Sequence, residues 1–186
     1  MQEAQQRDDL TIIANKNSSA GSPMNLLKTQ YCVSAAVFLV VQFITYHLLP
    51  ERVASHFGIT MAANCFVAKA QYFKSLLSVF ITMNAVFIPM IAFFPKIPSN
   101  LINTPNRQFW MKPENRRVFN NILLSRLYGL LTAINLIFTM LSYYVFKANM
   151  SNPVVLSPHF HMVMIAFFIV VAAGIVQLGV RLRRKP

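Results

Sequence analysis

The sequence predicts an all-α integral membrane protein, a four-helix transmembrane bundle with both termini cytoplasmic. Three observations predict it. Four apolar runs (31–49, 75–94, 127–146 and 162–180) contain no Asp, Glu, Lys or Arg, and each is long enough as a helix to cross a hydrocarbon core of ~30 Å. Only 12% of the residues are charged and 55% are hydrophobic, about half the charge of an ordinary soluble domain. The basic residues are also uneven. Thirteen of the 17 Lys and Arg lie before the first run, between the second and third, or after the fourth, and four lie in the other two connections. The positive-inside rule then places the termini and the second connection in the cytoplasm.

Residues 1–24 are rich in Gln, Asn, Ser and Asp and lack periodic apolar positions. They read as a disordered cytoplasmic tail, with residues 25–186 forming the four-span membrane domain. A polar segment of this length ahead of the first run has the wrong geometry for a cleavable signal peptide, so none is expected. Cys32 and Cys65 fall at opposite sides of the membrane on this topology and cannot pair. Both read as packing residues.

The first run ends at Leu49 and Pro50, which turns the chain out of helix. The external connection that follows keeps Val53, Phe57, Ile59, Phe66, Val67 and Phe73. So apolar a set predicts a loop folded onto the rim of the bundle. In the second span, Pro89 predicts a kink. The cytoplasmic connection opens with Pro95, Pro98 and Pro105 and reads as extended. Phe109 and Trp110 between Arg107 and Lys112 read as an interfacial anchor, rings at headgroup level and cations toward anionic lipid. Pro113 followed by Glu114 marks a helix start that runs on into the third span. The last connection is short and holds Pro153 and Pro158, and Arg181-Leu182-Arg183-Arg184-Lys185 is a stop-transfer cluster.

The net charge of +12 first suggests nucleic acid, but the basic residues sit between and after the spans and form no single polar domain. No nucleic-acid partner is expected; the lipid bilayer is. Enzyme signatures are missing: no GxSxG, no Walker-type loop and no dinucleotide fingerprint. Glu51 and Glu114, the acidic residues between the spans, fall on opposite sides and cannot act as a pair. The chain therefore reads as non-enzymatic and without a cofactor.

Two constellations remain. Gln42, Asn84 and Asn135 each fall near the middle of a span. A buried amide in lipid must find a partner, so the three predict a shared polar core that fixes helix register. His47, His56, His159 and His161 all fall on the external side with Glu51 nearby. They are the candidate metal ligands, and a His47/His161 pair is the candidate for haem. Against both, the histidines lack an HExxH motif and an accompanying Cys-x-x-Cys. A small metal- or haem-binding electron-transfer subunit is thus one alternative. A small-solute transporter is another, opposed by the absence of Asp, Glu, Lys and Arg from the spans.

Two connecting segments carry a family resemblance. One is Leu49-Pro50-Glu51-Arg52-Val53-Ala54-Ser55-His56-Phe57-Gly58. The other is Pro105-Asn106-Arg107-Gln108-Phe109-Trp110-Met111-Lys112-Pro113-Glu114-Asn115-Arg116-Arg117. Together they resemble a bacterial polytopic membrane family of unknown function that shares the first domain of SdpI-type immunity proteins. That family has an LP-x-x-(V/I)-x-x-HF stretch after its first helix and a PN-x-x-(Y/F)W-x-x-PE-x-R stretch before its third. The chain departs from it in two places. The family's Gly-x-Pro turn and Trp after His-Phe are replaced by residues 60–66, and its Pro-Glu-Arg-Arg is one residue longer here, at 113–117. The resemblance implies a multi-pass protein of the bacterial inner (cytoplasmic) membrane. It would act on a peptide or another membrane protein, in immunity or as an accessory subunit of a complex. The partner-binding candidates are Glu51, Arg52 and His56 outside, as a hydrogen-bonded cap over the helix ends, and Trp110, Glu114, Arg116 and Arg117 inside.

Overall fold

The computed structural model describes residues 23–183. Residues 1–22 and 184–186 lie outside the described residues, and with them nearly all of the expected tail and Arg184 and Lys185 of the terminal cluster. The elements run α1 (Pro23–Leu48), β1 (Arg52–Phe57), β2 (Ala63–Ala68), α2 (Lys69–Phe93), α3 (Arg107–Trp110), α4 (Pro113–Asn149) and α5 (His159–Arg183). Two single-turn 3-10 helices, Phe94–Lys96 and Ser99–Leu101, sit between α2 and α3. Four helices are long and apolar enough to cross a membrane. The chain is a four-helix membrane protein, as its composition requires.

Helix α1 starts at Pro23, so Pro23 and Met24 belong to the helix rather than to the tail. Its buried residues are Ser34, Phe38, Gln42 and Thr45, one stripe at three- and four-residue spacing. The other faces carry Val33, Val37, Val40, Phe43 and Ile44, all exposed. Such a helix buries a narrow seam and gives the rest to lipid. Helix α4 begins with Pro113 at its first turn and Glu114 behind it, and continues unbroken for 37 residues. At ~1.5 Å per residue it is ~55 Å long, well beyond the hydrocarbon thickness. Its first turns therefore stand outside the membrane. Helix α2 runs through Pro89 without interruption.

Helices α1 and α4 form the most extensive pair, and α2 and α5 each pack less extensively against α4. Helices α1 and α4 are parallel: Ser34 meets Asn135, and Gln42 meets Ser142. Helix α2 runs antiparallel to α1. Tyr31 bonds Asn84, and Phe38 stacks on Phe80 at 4.3 Å between ring centroids. Helix α5 is different. No residue in its most apolar window is buried. It meets α4 through Tyr144 and Phe160 at one end and through Arg126 and Gln177 toward the other.

The first connection folds onto the end of the bundle as expected, and it does so as an antiparallel β-hairpin. Alternating Val53, Ser55 and Phe57 suit a pleated, half-buried strand. The turn is tight: Met61 N–H donates to the Gly58 carbonyl and Gly58 N–H to the Ala62 carbonyl, both at 2.9 Å. This is a three-residue hairpin loop with its last residue left-handed, and that residue is Met61, at φ 64°. Val53 and Ala54 are fully buried, while Ile59 at the tip is 97% exposed. The hairpin is therefore seated at its base and free at its tip. The last connection joins it through the Ala62–Val155 bridge and the Leu156 N–H to the Met61 carbonyl at 2.9 Å. Both of these connections thus lie at one end of the bundle. The second connection and the end of α5 lie at the other, the basic end.

Candidate functional site

The three amides are buried, and each is tied across helices, but to a different partner. Gln42 Nε2 donates to Ser142 Oγ. Asn84 Oδ1 accepts from the Tyr31 hydroxyl at 2.9 Å, while its Nδ2 returns to the Phe80 carbonyl. Asn135 Nδ2 donates to Ser34 Oγ at 3.2 Å. The single shared core expected from the sequence is therefore corrected to three separate ties, stacked along α1. The reason is geometric. Asn135, Ser142 and Asn149 are seven residues apart on α4, so their side chains recur along one seam rather than meeting at one level. The Asn135 Oδ1 has no donor among the described residues. These ties set register and neighbour choice; no charged group joins them.

At the hairpin end, Asn149 does what the sequence left unassigned. Its Oδ1 accepts the Ala54 N–H at 2.7 Å and its Nδ2 donates to the Ala54 carbonyl at 3.2 Å. One side-chain amide thus pairs with a buried strand residue as a backbone neighbour would. Its seven-residue spacing from Ser142 was the available signal. Lys69 is the second anchor. Its ammonium lies 2.9 Å from the Glu51 carboxylate, 3.4 Å from the Leu49 carbonyl and 5.3 Å from the Tyr46 ring centroid. A cation there meets the carbonyl end of α1. Glu51 is thus paired with Lys69, the one ion pair among the described residues, and the expected cap of Glu51, Arg52 and His56 is corrected. Arg52 and His56 are exposed on β1. His56 lies opposite Cys65 on β2. Cys32 and Cys65 are both exposed, so neither thiol is a packing residue.

The basic end holds a buried apolar cluster: Ile102, Trp110, Phe119, Ile122 and Leu182, with Phe94, Phe109 and Leu178 against it. Trp110 is 2% exposed, and its Nε1 donates to the Leu182 carbonyl at 2.8 Å. The indole expected at the lipid headgroups is inside the protein. The correction has a physical cause, since the end of α5 leaves carbonyls that need donors. Asn106, left-handed at φ 53°, supplies a second one to the Arg183 carbonyl. Arg116 reaches the Ile97 carbonyl at 2.8 Å and the Met111 sulfur at 2.9 Å, and lies over the Phe119 ring. Trp110 and Arg116 therefore brace the second connection against α4 and α5; Trp110 is buried, whereas Arg116 is half-buried. Glu114 and Arg117 are exposed.

The histidines do not converge into a metal centre. Among the described residues no group of three or more His, Cys, Asp or Glu side chains is placed to hold a metal ion. His47 lies edge-on to Phe43 and Tyr46, and His161 lies beside Phe160. His159 offers its backbone N–H to Ser157 Oγ at 3.4 Å.

Compared with protein-family models, curated proteins and solved structures, the chain matches none.

Proposed function

We propose that this is a non-enzymatic multi-pass protein of a bacterial cytoplasmic membrane that acts by contact with a peptide or another membrane protein at its hairpin end. That end faces outward on the charge asymmetry of the connections. The SdpI-like pattern at 49–58 supports an immunity or accessory role, because those residues build the hairpin.

One observation carries the reading. The hairpin is braced at its base by Asn149 and Lys69, yet it raises Ile59 (97% exposed) away from the bundle, and Phe66 of β2, opposite buried Ala54, stays 42% exposed. Arg52 and His56 are exposed on the same element, and their side chains make no hydrogen bond among the described residues. Apolar anchors rimmed by polar groups on a rigid support are the features of a protein contact. The partner surface proposed is therefore Arg52, His56, Ile59 and Phe66, and it excludes Trp110 and Arg116.

A photo-crosslinking side chain placed at position 59 in native membranes tests this. The expected product is a covalent adduct with a defined polypeptide, lost in a His56→Ala/Phe66→Ser variant of unchanged folded yield. Adducts with lipid alone would overturn the reading. Arg116→Ala is the counterpart: it lowers folded yield and any adduct together.

A further inference from the structure

We propose that the crevice between α4 and α5 at the basic end is a binding site for an anionic phospholipid, one acyl chain lying in the crevice and the phosphate on Arg126. The crevice has a volume of ≈ 460 Å³ and is lined by Leu27 of α1, Gly129 and Ala133 of α4, and Val170, Gly174 and Leu178 of α5. It exists because α5 stands away from α4 at this level. Nothing lies within 4 Å of where a side chain would begin at Gly129 or Gly174. Its walls are apolar and it opens toward the hydrocarbon, so a chain of methylenes is the occupant its chemistry accepts.

Arg126 makes the site selective. It lines the crevice, and its Nη2 donates to Gln177 Oε1 of α5 at 2.7 Å. That bond fixes the guanidinium across the mouth while leaving other N–H groups to bind an anion. No carboxylate of the described residues can neutralise it. Glu51 is held by Lys69 at the opposite end. Glu114 lies on the same helix, ~18 Å away at ~1.5 Å per residue. A guanidinium at the edge of a low-dielectric region needs an anion, and its planar fork matches phosphate oxygens. The position agrees: Arg126 immediately precedes the third apolar run on the side where basic residues concentrate, the level of lipid phosphates. Basic pockets between spans are known sites for anionic headgroups.

Trp110 reports on this crevice, because it is the single tryptophan of the chain and Leu178 both packs against its cluster and lines the crevice. The test is quenching of Trp110 in lipid nanodiscs by phosphatidylglycerol or phosphatidylcholine with brominated chains. The expected result is a preference for the anionic lipid of about fivefold, the factor one basic group at a membrane surface supplies. Arg126→Gln should abolish the preference, and Arg126→Lys should restore part of it. Gly174→Leu, which fills empty space, should remove the quenching by both lipids. Unquenched emission of each variant checks that the Trp110 cluster is intact. Equal quenching by the two lipids in the unaltered protein overturns the proposal, as does a preference that survives Arg126→Gln. A Gly174→Leu variant that converts a dimer to a monomer overturns it in favour of a second copy of this chain.

Discussion

Helices α1 and α5 are both apolar spans, yet the structure treats them differently. Helix α1 lies along α4 with a buried stripe, and polar side chains recur on that stripe at Ser34, Gln42 and Thr45. Helix α5 is the more apolar of the two and buries nothing in its apolar window. The lesson concerns solvent. Lipid chains are as apolar as Leu, so an apolar face gains little by leaving lipid for protein. Polar side chains and helix ends are what fix one helix beside another. Helix α1 has such groups along its length, whereas α5 is fixed near its ends. The Trp110 and Asn106 donors hold its final carbonyls, and Phe160 meets Tyr144.

The largest expected effect follows from that attachment. Trp110→Ala removes a buried ring and the donor to Leu182 together. Loss of a buried aromatic side chain costs about 3–5 kcal/mol. The variant should unfold at much lower denaturing-detergent concentration, and a protease site placed near Arg183 should become accessible. Trp110→Phe should retain most of the stability. If Trp110→Ala left α5 protected, attachment at the ends would be the wrong account of that helix.

Asn149 tests the other side of the comparison. Asn149→Ala leaves both polar groups of buried Ala54 without their partner, and each unsatisfied buried group costs about 1–3 kcal/mol. The expected readout is faster amide hydrogen exchange in β1 with α1 and α4 still protected. Exchange accelerating along the whole α1–α4 seam would instead make the hairpin and seam one unit.

The outline of this fold was legible because each span is a run without charges, and the start of α4 was legible from Pro113 and Glu114. The mid-span amides were legible as buried, since an amide in lipid has nowhere else to go. Their partners were not. Ser34, Ser142 and Tyr31 are common residue types, and only the parallel run of α1 with α4 and the antiparallel run of α1 with α2 decide which groups meet. Nor was the hairpin legible. Its apolar residues were recognised, but pairing of β1 with β2 depends on a turn with a left-handed Met61, a residue that gives no turn signal. Trp110 between basic residues carries the pattern of an interfacial ring, and no local signal tells that a distant helix end claims its N–H. The site residues divide on the same line. The charge that holds Glu51 comes from Lys69, which adjoins the second span, while Arg52 and His56 are left exposed.

The amide ties allow a finer test. Gln42→Leu and Asn135→Leu should each change stability by about 2 kcal/mol or less, the range of side-chain hydrogen bonds in membranes. Asn135→Leu should be the milder, because it also removes a buried oxygen that has no donor among the described residues. Both hydroxyl partners keep a backbone acceptor, Ser142 on Phe138 and Ser34 on Tyr31. Paired unfolding titrations check the order, and a much costlier Asn135→Leu would mean that its oxygen is satisfied by a buried group or water.

The smallest expected effect is the most direct test of the contrast between α1 and α5. Ile169→Ala, on the open face of α5 where Ile169 is 62% exposed, exchanges contact with lipid for contact with lipid. Substitutions at such positions stay within about 0.5 kcal/mol. Phe38→Ala on α1 removes a side chain that is fully buried and stacked on Phe80, and should cost about 3–5 kcal/mol because the cavity it leaves is closed to lipid. The two variants differ in burial rather than in hydrophobicity. Equal losses would show that α5 is packed against something across that face in the membrane, most simply a second copy or a partner helix. Near-zero loss at position 169 beside a large loss at position 38 would establish that this face of α5 lies against lipid.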